Sequence, residues 1–252
     1  KGAGPIPTLT AADFTSARLV QAAGIPLILV GDSLGMTVLG HSSTLPVTLD
    51  DMLRHTAAVV RGAPDTLIVA DLPFLSYQVN DDEALRNAGR FLAEAGADAV
   101  KLEGGADRIP LIRRLVRNGI PVMGHIGLTP QSVKSLGYKV QGRSQAAAQT
   151  LREDARALAD AGAFALVLEA VPAPLAAEIT ADLPIPTIGI GAGPGCDGQI
   201  LVFHDVLGLY DTLTPKFVKQ YAHLTPVITD ALRSYADEVR THTFPAPEHT
   251  YA

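Results

Sequence analysis

Short apolar runs of four to six residues, rich in Val, Ile and Leu, alternate along this chain with helical patterns. That alternation restricts the fold more than any other feature. The runs lack the polar alternation of a sheet with one face in water, so they read as strands buried on both faces. The helical patterns fall at Phe14 to Ala23, Leu49 to Arg61, Asp82 to Ala95, Arg108 to Asn118 and Ala146 to Ala161. Strand, helix and strand in succession imply βαβ crossovers and a parallel sheet. Turn signals follow the helices at Gly24-Ile25-Pro26, Gly62-Ala63-Pro64, Gly96-Ala97, Gly119-Ile120-Pro121 and Gly162-Ala163. Glycine there supplies the left-handed conformation that ends a helix, and a following proline prevents its continuation.

Eight candidate strands result: Pro7 to Ala11, then 26–30, 66–70, 98–102, 121–125, 164–168, 186–190 and 199–203. Eight is the closure number of a β/α barrel, a fold of typically about 250 residues. The chain has 252. The expected fold is therefore α/β, a (β/α)8 TIM barrel, as a single domain over residues 1–252 with a C-terminal helical segment. The stretch from Pro245 to Ala252 reads as a loose end. The competing fold is an open doubly wound sheet, but Gly31-Asp32-Ser33-Leu34-Gly35 lacks the spacing of a dinucleotide-binding loop.

Composition narrows the class. A net charge of −6 gives no electrostatic reason to bind nucleic acid. The single cysteine, Cys196, excludes an internal disulfide framework and fits a reducing compartment. No apolar stretch reaches the ~18 residues of a membrane span, and the first residues, KGAGPIP, contain no signal-peptide core.

Four acidic residues stand at or just past the ends of apolar runs: Asp32 after PLILVG, Asp71 after TLIVA, Glu103 after AVKL and Glu169 after ALVL. In a β/α barrel the loops after the strands form the active face. Two carboxylates brought close together there raise at least one pKa unless a cation joins them. Mg²⁺ is suited to that place because it prefers oxygen ligands and typically takes one or two protein carboxylates. The competing reading is that each acid caps the helix that follows.

The period of two in Ala99-Val100-Lys101-Leu102-Glu103 puts Lys101 and Glu103 on one face. If that face is the barrel interior, Lys101 needs an anion to justify its buried charge. Three roles stay open: an internal pair with Glu103, a contact to a substrate carboxylate or enolate oxygen, and a Schiff-base lysine. The last is opposed by neighbouring acids, which keep the ammonium charged. His125 ends a strand in the same layer, as a substrate contact or a structural histidine. Ser33, beside Asp32, is placed to donate to a bound carboxylate. Glu169 has apolar neighbours in sequence, so its pKa is expected to be raised, as suits a general base; helix capping is the alternative. The stretch Gly189 to Gly198 reads either as a phosphate cradle or as a close approach of helix and barrel. Cys196 has no basic neighbour in sequence to activate it and reads as a bystander.

Taken in order, GDSLGMTVLGHSSTLPVTLDDMLRHTAAVVRGAP, ADLPFLSY, VKLEGG, GHIGLTPQSV, GYKVQGR, LVLEAVP and IGIGAG..CDGQILVFHD resemble the ketopantoate hydroxymethyltransferase family, from about Thr10 to Tyr221. The resemblance implies a barrel of the phosphoenolpyruvate/pyruvate type, one Mg²⁺ per subunit, a homodecamer and a cytoplasmic place. It implies transfer of a hydroxymethyl group from 5,10-methylenetetrahydrofolate to 3-methyl-2-oxobutanoate, giving 2-dehydropantoate on the route to pantothenate and coenzyme A. By the same resemblance Asp32 and Asp71 ligate the metal with Glu103 beside them. Asp32, Ser33, Asp71 and Lys101 contact the 2-oxo acid, His125 lies against it, and Glu169 is the proton acceptor. The segment from Gly127 to Gly142 is the expected cover.

The chain departs from the family pattern at Ala12, where a tyrosine is usual, at Ser42, where aspartate is frequent, and at Leu136, where a second glycine is common. Two rival functions remain: a metal-dependent 2-oxo acid aldolase or lyase of the same barrel type, and a silent metabolite-binding barrel. Lyase relatives carry a cysteine-containing loop, KKCGH in some, which this chain lacks.

Overall fold

A computed structural model describes residues 1–212 and 214–251, without the side chain of Leu136. That side chain, one of the departures noted above, lies outside the described residues. Two compact units are present, Lys1–Phe203 and His204–Ala252.

The first unit is the expected barrel. Its strands are β1 (Ile6–Thr10), β2 (Leu27–Val30), β3 (Leu67–Asp71), β4 (Ala99–Glu103), β5 (Val122–Gly127), β6 (Ala165–Glu169), β7 (Thr187–Ile190) and β8 (Gly198–Leu201). They close in sequence order, with β8 paired parallel to β1. Helices alternate with them: α1 (Phe14–Ala22), the short α2 (Leu34–Thr37), α3 (Leu49–Gly62), α4 (Asp81–Ala93), α5 (Ile109–Arg117), the short α6 (Val133–Leu136), α7 (Gln145–Asp160) and α8 (Ala173–Asp182). Local chemistry starts these helices where they start. Asp13, Thr48, Asn80 and Ser144 each accept a hydrogen bond from a backbone N–H of the first turn of α1, α3, α4 and α7.

Observed strands lie within two residues of the expected ones, and the small shifts matter. Asp71, Glu103 and Glu169 are the last residues of their strands. His125 falls two residues before the end of β5, which runs on to Gly127. The turn expected at Gly62-Ala63-Pro64 does follow α3, with Gly62 as the last residue of the helix instead of the first beyond it. Gly62 closes α3, and a Cβ there would collide with the Phe14 carbonyl and Ala17 of α1, so glycine serves helix packing at that point. Helix α8 is absent from the sequence pattern because it is apolar almost throughout, APLAAEITAD, and shows little amphipathic contrast.

Leu27, Leu29, Val69, Ala99, Met123, Ala165, Val167, Ile188 and Ile200 fill the interior of the barrel. Strand side chains alternate faces. The residues two positions beyond Val69, Ala99, Met123 and Val167 therefore enter the same lumen, and these are Asp71, Lys101, His125 and Glu169. The register joins them: Asp71 pairs with Lys101, Glu103 with His125, and Gly127 with Glu169.

Gly127 has φ +95°, and a Cβ there would collide with the Glu169 carbonyl, which accepts from the Leu128 N–H. Gly127→Ala is expected to cost more than about 2 kcal/mol of stability, since a left-handed alanine is strained before the collision is counted. Chemical denaturation read by circular dichroism measures it; an unchanged midpoint would contradict the packing described.

The second unit contains α9 (Phe203–Val206, its first residue shared with the barrel) and α10 (Leu224–Arg240). The stretch expected as a loose end holds a 3-10 turn, Pro247–His249, and the His249 ring lies 5.3 Å from that of Phe244. Among the described residues, no helix is long and apolar enough to cross a membrane.

Candidate active site

None of the four strand-end acids caps a helix. Ser33 stands at the cap position of α2 and makes no side-chain cap, Asn80 caps α4, Gly105 precedes the turn after Glu103, and Pro172 precedes α8. The acids turn inward instead.

Asp71 sits at the centre. Its Oδ1 lies 2.6 Å from the Lys101 ammonium, in a pair whose side chains are 2% and 4% exposed. Its Oδ2 accepts the Asp32 N–H at 3.2 Å. Lys101 thus pairs with Asp71, not with Glu103 as the packing reading required. Burial opposes its charge, but Asp71, Glu103 and Asp32 together hold its pKa above the ordinary lysine value. A permanently charged ammonium is a poor amine nucleophile, which disfavours the Schiff-base role.

Asp32 is buried, and burial together with the Asp71 charge pushes its carboxyl up to about 7. Its Oδ2 accepts from Gln131 Nε2 at 2.9 Å. Glu103 is likewise pushed well up by burial; its Oε2 accepts from the Gln131 backbone N–H at 3.0 Å, and Oε1 lies 3.6 Å from His125 Nδ1.

His125 is held below the ordinary histidine value by burial and by Lys101, so the ring is neutral. Lys101 Nζ stands 3.4 Å from Nδ1. An ammonium only donates, so Nδ1 accepts and the ring hydrogen belongs on Nε2. Nε2 lies 3.2 Å from Glu169 Oε2 but out of line, buried and without a hydrogen-bond partner. Glu169 has a histidine beside it in space, not only the apolar residues that flank it in sequence. Its side chain is 13% exposed, against 3% for Glu103 and 2% for Asp71, so it is the acid nearest to open space.

Ser33 follows Asp32 at the head of α2. A Cβ on Gly31 would come 3.2 Å from Ser33 Oγ and 3.8 Å from Asp71 Oδ2, so glycine leaves room between these two groups. The stretch Gly189 to Gly198 resolves toward close approach: Cβ atoms on Gly193 and Gly195 would strike Ala173 and Ala177 of α8. Burial pushes the Cys196 thiol up, away from a reactive thiolate.

Two residues with no role in the sequence reading belong to the site. Tyr77, in the loop after β3, donates to Gln131 Oε1 at 2.7 Å and accepts the Glu103 N–H at 3.1 Å. Gln131, in the 3-10 turn Pro130–Ser132 after β5, touches both Asp32 and Glu103. Both lie within the blocks ADLPFLSY and GHIGLTPQSV, but no strand pattern points at a polar residue inside a loop.

Among the described residues, no group of three or more His, Cys, Asp or Glu side chains stands ready to enclose a metal ion. Asp32, Asp71 and Glu103 therefore do not form a preformed cage. The fit is of a looser kind. Asp71 Oδ1 is buried and, apart from its ion pair with Lys101, has no hydrogen-bond donor, while Asp32 lies against the same carboxylate. Two adjoining carboxylates match Mg²⁺, which keeps waters and takes substrate oxygens for its remaining positions.

Six ionisable side chains gathered at the C-terminal strand ends of a closed β/α barrel define a barrel enzyme, since that is where such folds carry their chemistry. The sequence profile described as ketopantoate hydroxymethyltransferase matches residues 1–247. Over 247 residues the chain is 60% identical to 3-methyl-2-oxobutanoate hydroxymethyltransferase of Moorella thermoacetica, covering 98% of this chain and 92% of that one. The Syntrophus aciditrophicus enzyme of the same name is 59% identical, with coverage of 98% and 91%. The chain belongs to the ketopantoate hydroxymethyltransferase family and is a transferase.

Solved structures extend the fold more widely. 2,3-Dimethylmalate lyase, a member of the PEP mutase/isocitrate lyase superfamily, superposes with a TM-score of 0.61 at 20% identity, covering 98% of this chain and 87% of that one. Phosphonopyruvate hydrolase, solved with oxalate and Mg²⁺, gives 0.62 at 12% identity, covering 97% and 88%.

Proposed function

We propose that this chain transfers a hydroxymethyl group from 5,10-methylenetetrahydrofolate to 3-methyl-2-oxobutanoate, yielding 2-dehydropantoate for pantothenate and coenzyme A synthesis. One observation carries the reading: a buried pair of aspartates, a charged lysine and a more open glutamate converge at one end of the barrel. Asp32 and Asp71 would hold Mg²⁺, with Glu103 alongside. The chemistry supplied by a bound Mg²⁺ is stabilisation of the negative charge that develops on the keto acid's oxygens.

The chain's own residues do the rest. Lys101 donates to an oxygen of the 2-oxo acid, with its charge maintained by Asp71. Ser33 donates to the substrate carboxylate. Glu169 takes the C3 proton, and the neutral His125 presents its Nε2 hydrogen to the same space. The C3 carbanion then bonds to the methylene carbon of the folate, opened to its iminium form. Water replaces the folate nitrogen on that carbon: the C–N bond breaks as the C–O bond forms, the water proton passes to the nitrogen, and tetrahydrofolate leaves. Burial of the acids keeps solvent from the carbanion until that bond forms, and the segment from Gly127 to Gly142 is the cover.

The test is exchange of the C3 proton of 3-methyl-2-oxobutanoate in deuterated water, followed by NMR with Mg²⁺ and without folate. Exchange abolished by a chelator is expected. Active-condition protein that gives none would leave only a metabolite-binding barrel. Product formation that ignores tetrahydrofolate would favour the aldolase or lyase reading, which the position of the sole cysteine outside the site already weakens.

A cytoplasmic location and a homodecamer belong to the same proposal. Helix α10 supports self-association, because Val227, Leu232 and Tyr235 are 61%, 63% and 57% exposed. Sedimentation velocity should give a decamer; a monomer at micromolar concentration would contradict it.

A further inference from the structure

Gln131 is 5% exposed, and its side chain uses every hydrogen-bonding position that an amide possesses. Nε2 donates to Asp32 Oδ2 and to the Leu72 carbonyl, both at 2.9 Å. Oε1 accepts from the Tyr77 hydroxyl at 2.7 Å and from Gln78 Nε2 at 3.2 Å. Its backbone N–H donates to Glu103 Oε2 at 3.0 Å. One residue of the loop after β5 therefore restrains two carboxylates that rise from β2 and β4, and it is itself oriented by the loop after β3.

This exceeds what packing needs. An amide used only to fill space would leave the direction of Asp32 unspecified. Here the carboxylate is bound through Oδ2, which turns it about a fixed axis. Glu103 is held through the backbone of the same residue, so the seating of residues 130–132 bears on both acids at once. Pro130 opens that turn with a preset φ, which limits the ways the loop can settle.

Resting on the reading of Asp32 and Asp71 as the cation's ligands, we propose that Gln131 is a positioning residue that makes seating of the loop after β5 a condition for cation binding. The amide acts on the cation through Asp32, and the backbone N–H acts through Glu103. Groups in this relation to ligands typically change metal affinity by roughly 10- to 100-fold when removed.

The experiment titrates Mn²⁺ into the metal-stripped full chain and follows free Mn²⁺ by electron paramagnetic resonance. Gln131→Met keeps nearly the same volume and the backbone N–H to Glu103, but its side chain has no donor for Asp32 and only a weak acceptor for Tyr77. It should raise the Mn²⁺ Kd by roughly 10- to 100-fold, and activity lost at low Mg²⁺ should be recovered by adding more. A cooperatively folded Gln131→Met chain with the parental Kd would overturn the proposal. So would an activity loss that no amount of Mg²⁺ restores, since that is the signature of a merely structural residue. Should Gln131→Met fail to fold, Tyr77→Phe leaves the amide in place but removes the hydroxyl that orients it; a smaller rise in Kd is expected, and no rise would overturn the proposal. A parent chain that takes up no Mn²⁺ defeats the cation reading itself, whereas a parent that binds while Gln131→Met binds equally well defeats this inference alone.

Discussion

Glu169→Gln lowers C3 proton exchange and turnover by about 100- to 10,000-fold, the usual contribution of a positioned proton acceptor, while 3-methyl-2-oxobutanoate still binds. The reasons are geometric. Glu169 is the strand-end acid with the most open side chain, and it faces the unpartnered Nε2 of a neutral His125. The amide keeps the shape and the neighbour but cannot accept a proton. Binding is retained because the register sets Asp71 and Lys101 level with Ala165, lower in the barrel than Glu169. Exchange is measured by NMR and binding by calorimetry. Parental exchange in the variant would remove Glu169 as the base; loss of binding with it would make it a contact to the substrate instead.

Lys101→Met destabilises the metal-free chain by about 3–5 kcal/mol, because breaking a buried ion pair leaves its partner charge without compensation. That is a fall of roughly 6–20 °C in Tm for a chain of this size. Lys101 supports three carboxyls, Asp71 by contact and Asp32 and Glu103 through space. The loss should depend on pH in a definite sense. Asp32 has its folded pKa raised from the ordinary 3.8 to about 7, by burial first and Asp71 second. A carboxyl raised in this way contributes stability that is complete below 3.8 and disappears as pH climbs through about 7. Without Lys101 to favour the ionised forms, protonation becomes the remaining relief, so the variant should lose more at pH 8 than at pH 5. Thermal unfolding in chelator at both values checks this, and equal losses would mean that Lys101 does not neutralise the cluster.

Much of this was legible before any coordinates. All eight strands were visible because a strand covered on both faces must be a continuous apolar run, and the barrel followed from their number. The four acids were visible because each interrupts such a run at its C-terminal end, where a β/α barrel carries its active face. Lys101 was visible as a charge inside a buried strand, but its partner was not: Asp71 lies on the neighbouring strand, and only the register of β3 against β4 brings the two together. Tyr77 and Gln131 were hidden for a different reason. Their roles depend on the paths of two loops, and loop paths follow from tertiary packing rather than from any local period. Gly62 hid a second role: it stands at the end of α3, just before the expected turn, and it also permits α1 and α3 to touch.

The account rests most heavily on Asp32 and Asp71 sharing a divalent cation with the keto acid. Diffraction from crystals soaked in Mn²⁺ and 3-methyl-2-oxobutanoate, collected at the manganese absorption edge, addresses it directly. An anomalous peak bounded by the Asp32 and Asp71 carboxylates and by two oxygens of the keto acid is the predicted result. A peak elsewhere, or keto acid bound there with no manganese beside it, would contradict it.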